Sequence, residues 1–505
     1  MTRDAAAHDM THTSHVRDWR WMAVALALTA CGLGLRFAYL DVPPLEFHAT
    51  RQYRSALIAR AWSGTALQAL EPSQREAAII MGSMEAIEPP VMERLAVAGY
   101  ALAGREDLRL PRLLSIAAWT LASVAATWLV VLSGAPGWAS LVTLALVWLL
   151  PYGIDASRSF MPDPLMIGLL MLSLALLQQP PSVKGRLLLI AVLGAASYVK
   201  PMAGLIAAPA IVAVDITRLR GRGVALAGGT LALAAVPTLA YYATLMAASD
   251  SILVNRFYPQ LWAQPSFWLD WLTVMIDRVI GLQALLVGLA GVIVSPGATR
   301  PLLAGAWLGY VLMGLVFPHH IHTHDYYSLP LIPLVAASVG AGLPALLSGV
   351  SISGRHRPVV AAGVVAGLLL WTVRTPEGRR PWGRPELARE RADDYAQIGR
   401  LVGHSPRVAT LDGDYGYSLG YHGLLGARQL SMSFDRALAA LSGQVVPGAL
   451  SQLRGVNADY FVGTVYAEVA AEPDLQQWLA ADATLLARKG ETVRWRYVVY
   501  DIRPK

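Results

Sequence analysis

The sequence predicts an α-helical polytopic membrane protein carrying a C-terminal soluble α/β domain. Composition is the first reason: of 505 residues, 55% are hydrophobic and only 15% are charged. A soluble globular domain carries roughly 25% charged residues. Mean hydropathy of +0.45 agrees. The second reason is a series of uncharged runs near the roughly 20 residues needed to cross a bilayer. The third is a change of character at Arg374, after which charge rises and Pro and Gly cluster from Pro376 to Pro385. A soluble enzyme, a disordered chain and a nucleic-acid reader are thereby excluded. The net charge of +7 fits basic cytoplasmic loops against an anionic lipid surface, with no nucleic acid as partner.

The spans follow in order. Trp21–Leu40 is the first and is long enough to remain as an anchor, so no cleavable secretion signal is expected. Leu113–Ile154 carries no charge and divides into two helices at Ser133–Gly137. Pro164–Val183, Gly223–Ser249, Val279–Thr299, Pro301–Pro318, Tyr326–Ser348 and Pro358–Val373 are further spans. Between Leu187 and Val214 the apolar stretch is cut by Lys200-Pro201. A continuous span would bury a lysine at mid-membrane, at about 2.5–3.5 kcal/mol, and Pro201 would break the helix. A hairpin of two short helices with Lys200 at the turn is preferred; Lys184 and Arg186 before it and Arg218, Arg220 and Arg222 after it put both flanks inside. The two helices are expected to fall short of a full crossing. The count is then about eleven segments, with the N-terminus inside and the C-terminal domain outside. Residues 1–375 are read as the membrane domain with a long outer loop at 41–110, and 376–505 as the exported domain. Strands are expected at Arg407–Leu411, Asp459–Val465 and Arg494–Ile502.

This topology collects the informative polar residues on the outer face. Asp41, Glu46, His48, Arg51 and Arg54 follow the first span; Glu88-Pro89-Pro90 and Glu93 come later in the same loop. Arg158 and Asp163 lie between the third and fourth spans, Lys200 at the hairpin turn, and His319–Asp325 before the tenth segment. Helical spacing around Ala56–Ala59 and after Val91 suggests amphipathic helices on the outer membrane surface. A carboxylate beside a water-filled cavity suits a general base, though Glu46 could equally pair with Arg51 or Arg54. Lys200 suits a phosphate, or else snorkels at a helix end. Its charge is expected to serve binding and not packing. His319-His320-Ile321-His322-Thr323-His324-Asp325 lacks standard ligand spacing, so no metal is expected. Tyr326 and Tyr327 fit an aromatic belt, with ligand contact open. No Walker-type or G-x-G-x-x-G loop indicates a nucleotide or other cofactor. Cys31 is the single cysteine, which excludes an intrachain disulfide.

In order and spacing, these motifs resemble the GT-C membrane glycosyltransferases, nearest the protein O-mannosyltransferase and lipid A aminoarabinose transferase group. The resemblance covers about Trp21 to Leu347. It rests on Pro43-Pro-Leu-Glu46-Phe-His48-Ala-Thr-Arg51-Gln-Tyr-Arg54, Ile87-Glu88-Pro89-Pro90-Val-Met-Glu93 and Gly104 with Pro111-Arg112-Leu-Leu-Ser115. Ala156-Ser-Arg158-Ser-Phe-Met-Pro-Asp163-Pro, Tyr198-Val-Lys200-Pro201 and His324-Asp-Tyr326-Tyr327-Ser-Leu-Pro330 complete it. The resemblance implies inverting transfer of a sugar from a polyprenyl-phosphate donor to a lipid, glycan or protein acceptor at the outer face of the cytoplasmic membrane. It makes Glu46 the base, with Glu88 nearby. It gives Lys200, Arg51, Arg54, Arg158, Asp163, His324, Tyr326 and Tyr327 to substrate binding. Family members carry Asp followed by Glu where this chain has Glu46-Phe47, which leaves Asp41 as a competing base. A glycan polymerase or ligase would use the same features; a secondary transporter should show internal hydropathy repeats, and none is seen between the halves.

Overall fold

The computed structural model describes residues 4–45, 47–84, 88–248, 257–349, 353, 356–374, 385–441, 443–491 and 494–504. The structure is mainly helical, with one small sheet near the C-terminus. Among the described residues, five helices are long and apolar enough to cross a membrane: Arg109–Leu132, Met202–Leu219, Gly221–Leu245, Thr299–Val316 and Asp325–Gly349. Pro265–Val279 and Leu282–Val294, bent by 103° at their junction, act as a sixth if taken as one broken span. The other expected segments form shorter helices, among them Trp21–Phe37, Gly137–Leu149, Asp163–Gln178 and Arg357–Gly367. Length alone therefore accounts for six of the eleven expected crossings. Many side chains on these helices face outward, Leu239, Leu289 and Ile293 among them, as lipid contact requires.

The hairpin at Lys200 forms as expected, from Val183–Val199 and Met202–Leu219. Its arms are longer than the uncharged runs suggested, because charged residues continue both helices. Arg186 and Asp215 close the end of the hairpin away from Lys200 with paired contacts of 2.6 and 2.9 Å. The expectation that both arms are too short is corrected: Met202–Leu219 has spanning length.

Two features hold the bundle together. Arg36 is fully buried and donates to Ser157 Oγ at 2.5 Å and to the carbonyls of Gly32 and Trp148, with its guanidinium 4.7 Å from the Trp148 ring centre. Met202–Leu219 and Thr299–Val316 pack backbone to backbone. Gly305 and Gly309, one turn apart on the second helix, lie against Ala210 and Ile206, where a Cβ would collide with main-chain atoms. Small residues at this spacing are what close approach of membrane helices needs.

The outer loop carries Ala49–Trp62, Pro72–Gly82 and Val91–Ala103. Helices were expected here, but lying on the membrane surface. Ala49–Trp62 is instead enclosed: Tyr53, Ala56, Leu57, Ile58 and Ala59 are all buried, in one core with Tyr395, Leu419, Leu425 and Val499 of the C-terminal region. That region is built on five strands: β1 (Val408–Leu411), β2 (Ala427–Gln429), β3 (Tyr460–Gly463), β4 (Thr484–Glu491) and β5 (Arg494–Asp501). Their order is β2-β1-β3-β5-β4. β1 pairs in parallel with β2 and β3, and β5 runs antiparallel to β3 and β4. Strands β1, β3 and β5 match the three expected from the sequence; β2 and β4 were missed. β2 has only three residues, and β4 carries Arg488, Lys489 and Glu491 in place of an apolar run.

Gly309→Val tests the helix crossing. It inserts a branched side chain where backbone already makes contact, and overpacking of this kind costs about 1–3 kcal/mol or more. Its melting temperature in detergent should fall clearly below that of wild type. Unchanged melting would mean the two helices do not pack at this point.

Candidate functional site

The site lies where the loop 41–110 meets the ends of the membrane helices on the same side. Lys200 closes the helix Val183–Val199 in an extended conformation (φ −158°, ψ 122°). Pro201 dictates this, because the residue before a proline is driven out of the helical region. The lysine side chain thereby leaves the helix axis and reaches Asp163, the first residue of Asp163–Gln178, at 2.8 Å. It also lies 3.6 Å from Glu88 Oε1. Glu88 accepts from Arg51 Nη2 at 2.5 Å. The Lys200 ammonium faces the rings of Tyr327 and Tyr326 at 4.6 and 5.1 Å. Both tyrosines sit in the short turn Asp325–Ser328.

Six of the residues expected from the sequence therefore meet: Glu88, Arg51, Lys200, Asp163, Tyr326 and Tyr327. Arg54 adjoins them and feels Arg51 as a like charge; burial and that charge pull its guanidinium below the usual arginine range. Burial is the largest single influence on Arg51 and opposes its charge, but Glu88, Tyr326, Asp163 and Tyr327 together outweigh it and hold the guanidinium above its usual value. Three cations thus gather around Glu88 and Asp163, and Glu93, whose carboxyl burial pushes above the usual range, adjoins Arg51 and Arg54. Asp163 Oδ2 is buried with no hydrogen-bond partner among the described residues.

A second group was not read from the sequence as a unit. His48 Nε2 meets Asp325 Oδ1 at 2.6 Å, and the same carboxylate accepts from Tyr152 Oη at 2.7 Å. Arg278 approaches Oδ2 at 3.4 Å. His48 adopts a left-handed backbone conformation (φ 43°, ψ 52°) at the start of Ala49–Trp62, which an L-residue enters at a cost. Its ring packs edge-on against Tyr326, centroids 4.7 Å apart. The group ties the outer loop to the tyrosine turn. Partners 277 residues apart leave no local signal, although the exceptional polarity of His48 and Asp325 beside apolar runs was visible.

The remaining expected residues fall elsewhere. Glu46 lies outside the described residues. Asp41 is exposed and pairs with Arg389 of the C-terminal region at 3.2 Å, so it is not in the buried cluster. Arg158 binds Asp155 at 2.8 Å and faces the Tyr39 ring, in the network that surrounds Arg36. His324 borders the cluster through its ring contacts with Tyr326 and Tyr327. The histidine run packs as an aromatic group with Tyr258, Phe267 and Phe317. Burial pushes His319 and His324 down to about 4, which keeps both neutral at pH 7. No group of three or more His, Cys, Asp or Glu among the described residues has a metal-holding arrangement.

Neither a protein-family model nor a curated protein sequence matches this chain. Solved structures do. The chain is similar to ArnT from Cupriavidus metallidurans in the apo state, with a TM-score of 0.57 and 18% identity over 97% of this chain and 98% of that one. The same protein bound to undecaprenyl phosphate gives a TM-score of 0.58 and 17% identity over 95% and 98%. The archaeal oligosaccharyltransferase AglB from Archaeoglobus fulgidus, in complex with an inhibitory peptide and a dolichol-phosphate, gives 0.53 and 11% identity over 95% and 74%. The chain has the GT-C fold. At these identities the likeness concerns architecture, and it spans the bundle, the outer loop and the C-terminal region together.

Lys200→Met tests the buried cluster. The expectation that the lysine charge is dispensable for packing is corrected by its pairing with Asp163 and Glu88. Removing one partner of a buried pair costs about 3–5 kcal/mol. The variant should melt early in detergent, and adding Asp163→Asn should recover part of the loss. A single variant as stable as wild type would show that the pair contributes nothing to the fold.

Proposed function

We propose that the protein is a glycosyltransferase that moves a sugar from a polyprenyl-phosphate carrier to an acceptor hydroxyl at the outer face of the cytoplasmic membrane. The observation that carries this reading is the cluster of three cations, Arg51, Arg54 and Lys200, around Glu88 and Asp163, in a fold shared with a protein solved with undecaprenyl phosphate.

Negative charge develops on the phosphate as the sugar departs. Preorganised cations in a water-poor site stabilise that charge most where it grows. Arg51 and Lys200 share Glu88, so a phosphate seated between them replaces carboxylate contacts with its own oxygens. Arg51 offers the planar fork that suits phosphate, and Lys200 the compact point charge. Tyr326 and Tyr327 would wall the cavity beside the ammonium. Glu88, released towards the acceptor, would orient its hydroxyl. Glu46 is proposed to remove the hydroxyl proton as the oxygen attacks the anomeric carbon from the face opposite the phosphate, inverting the centre. His48 and Asp325 would hold the loop that carries Glu46. Residues 1–375 would form the catalytic membrane domain, and 376–505 an extracytoplasmic domain that covers the outer loop.

A purified transfer assay with a polyprenyl-phosphate sugar donor distinguishes the two bases. Glu46→Gln should reduce turnover by about 10²–10⁴-fold, the usual contribution of a general base, and leave donor binding nearly intact. Asp41→Asn should do less, since Asp41 is exposed and paired with Arg389. The reverse pattern would make Asp41 the base.

Orientation is tested by labelling intact cells with an impermeant thiol reagent, in a background where the exposed Cys31 is replaced by serine. Val445→Cys, on the C-terminal domain and 94% exposed, should label. Ser182→Cys, exposed in the loop before Val183–Val199, should label only after permeabilisation. Opposite accessibility would invert the proposed topology and put the cluster on the cytoplasmic side.

A further inference from the structure

A cavity of about 390 Å³ opens between the outer-loop helix Pro72–Gly82 and β2, the edge strand of the C-terminal sheet. It is separate from the cluster around Lys200 and shares no lining residue with it. Its volume lies in the range of small-molecule sites, and its place between two structural units is a usual one for such sites. Met81 and the start of β2 give it an apolar floor.

The walls are of a different kind. Tyr415 and Tyr417 lie near-parallel, 27° between planes and 6.4 Å between centroids. Their arrangement is built in: Gly416 between them has φ +74°, and a Cβ there would crowd Ala427 and Thr410. Tyr415 itself is left-handed at φ 58°. Asp412 fixes the turn by accepting from the Asp414 and Gly416 amides at 3.0 and 3.1 Å. One strained residue, a glycine that its position requires and a buried carboxylate thus serve to hold two aromatic rings at the cavity. Arg428 and Asn457 also line it, and neither side chain has a hydrogen bond or ion pair among the described residues.

Aromatic faces bind the C–H faces of sugar rings, an amide reads hydroxyls, and an uncommitted guanidinium selects a carboxylate or phosphate. The cavity also adjoins the helix that carries Arg51 and Arg54, since Gly82, next to the lining Met81, packs against Leu57 and Ala61 of Ala49–Trp62. We infer that the cavity bounded by Tyr415, Tyr417, Arg428 and Asn457 is a binding site for an acidic carbohydrate, a uronate or a phosphosugar, that holds the acceptor glycan. The acceptor role rests on the transfer reading above; the carbohydrate site does not.

Binding to the full-length protein in detergent, by calorimetry or saturation-transfer NMR, tests both parts. The probes are a hyaluronan tetrasaccharide for the uronate arm, mannose 6-phosphate for the phosphosugar arm and maltotetraose as the neutral control. At least one acidic probe should bind about tenfold more tightly than maltotetraose, the scale of one charge-assisted hydrogen bond. Arg428→Glu should abolish the difference and Arg428→Lys should keep most of it. Equal binding of charged and neutral probes, or indifference to Arg428→Glu, overturns the site. Undecaprenyl phosphate is titrated separately into the same wild-type sample. Acidic-sugar binding without lipid-phosphate binding overturns the acceptor role, and lipid-phosphate binding without acidic-sugar binding overturns the pocket.

Discussion

A lysine buried at the end of a membrane helix cannot stand alone, and the architecture around Lys200 follows from that constraint. The desolvation of an isolated ammonium is prohibitive unless carboxylates meet it. Asp163 arrives on one helix and Glu88 on the outer loop, and Glu88 in turn brings Arg51. Each partner belongs to a different segment, so the requirement to neutralise one charge fixes the outer loop to the bundle. The tyrosine turn is drawn in by the same ammonium and is held from behind by His48 and Tyr152 through Asp325.

The outer loop is fixed from above as well. Arg60 donates to Glu106 at 2.9 Å and to the carbonyl of Tyr421, and its guanidinium lies 3.7 Å from the Tyr421 ring centre. His422 meets Tyr53 Oη at 2.7 Å. Helix Ala49–Trp62 therefore offers Arg51 and His48 to the bundle, and Tyr53 and Arg60 to the C-terminal region. A loop of about seventy residues usually moves freely over a surface; here helix Ala49–Trp62 is tied to the bundle on one side and to the C-terminal region on the other, which holds the polar cluster in place. Preorganisation of this kind is what charge stabilisation in a low-dielectric site requires.

Much of this was legible in the sequence, and the reasons differ between parts. The bundle was legible because hydrocarbon forces long uncharged runs, and the Lys200-Pro201 break because a charge and a proline coincide within one run. The convergence of Glu88, Arg51, Asp163, Lys200 and the tyrosine pair was legible only through topology, which put all of them on one side. Helix Pro265–Val279 was not, because Asp270, Asp277 and Arg278 interrupt its apolar pattern. The burial of Ala49–Trp62 was not legible either: apolar residues spread around this helix signal contacts on several faces without naming the partner. The Asp325–His48 contact joins residues 277 positions apart, and no local pattern encodes it. The place of Arg158, paired with Asp155 and apart from the Lys200 cluster, was hidden for a related reason, since its motif does not name its partner.

The central claim is that the cluster of Arg51 and Lys200 receives a lipid phosphate. The most direct test is an experimental density map of the protein, purified in nanodiscs and supplied with undecaprenyl phosphate. The account predicts phosphate density within hydrogen-bonding distance of Arg51 and Lys200, with Glu88 turned away from Arg51. Well-resolved lipid phosphate elsewhere, with the Arg51–Glu88 and Lys200–Asp163 contacts intact, would contradict it.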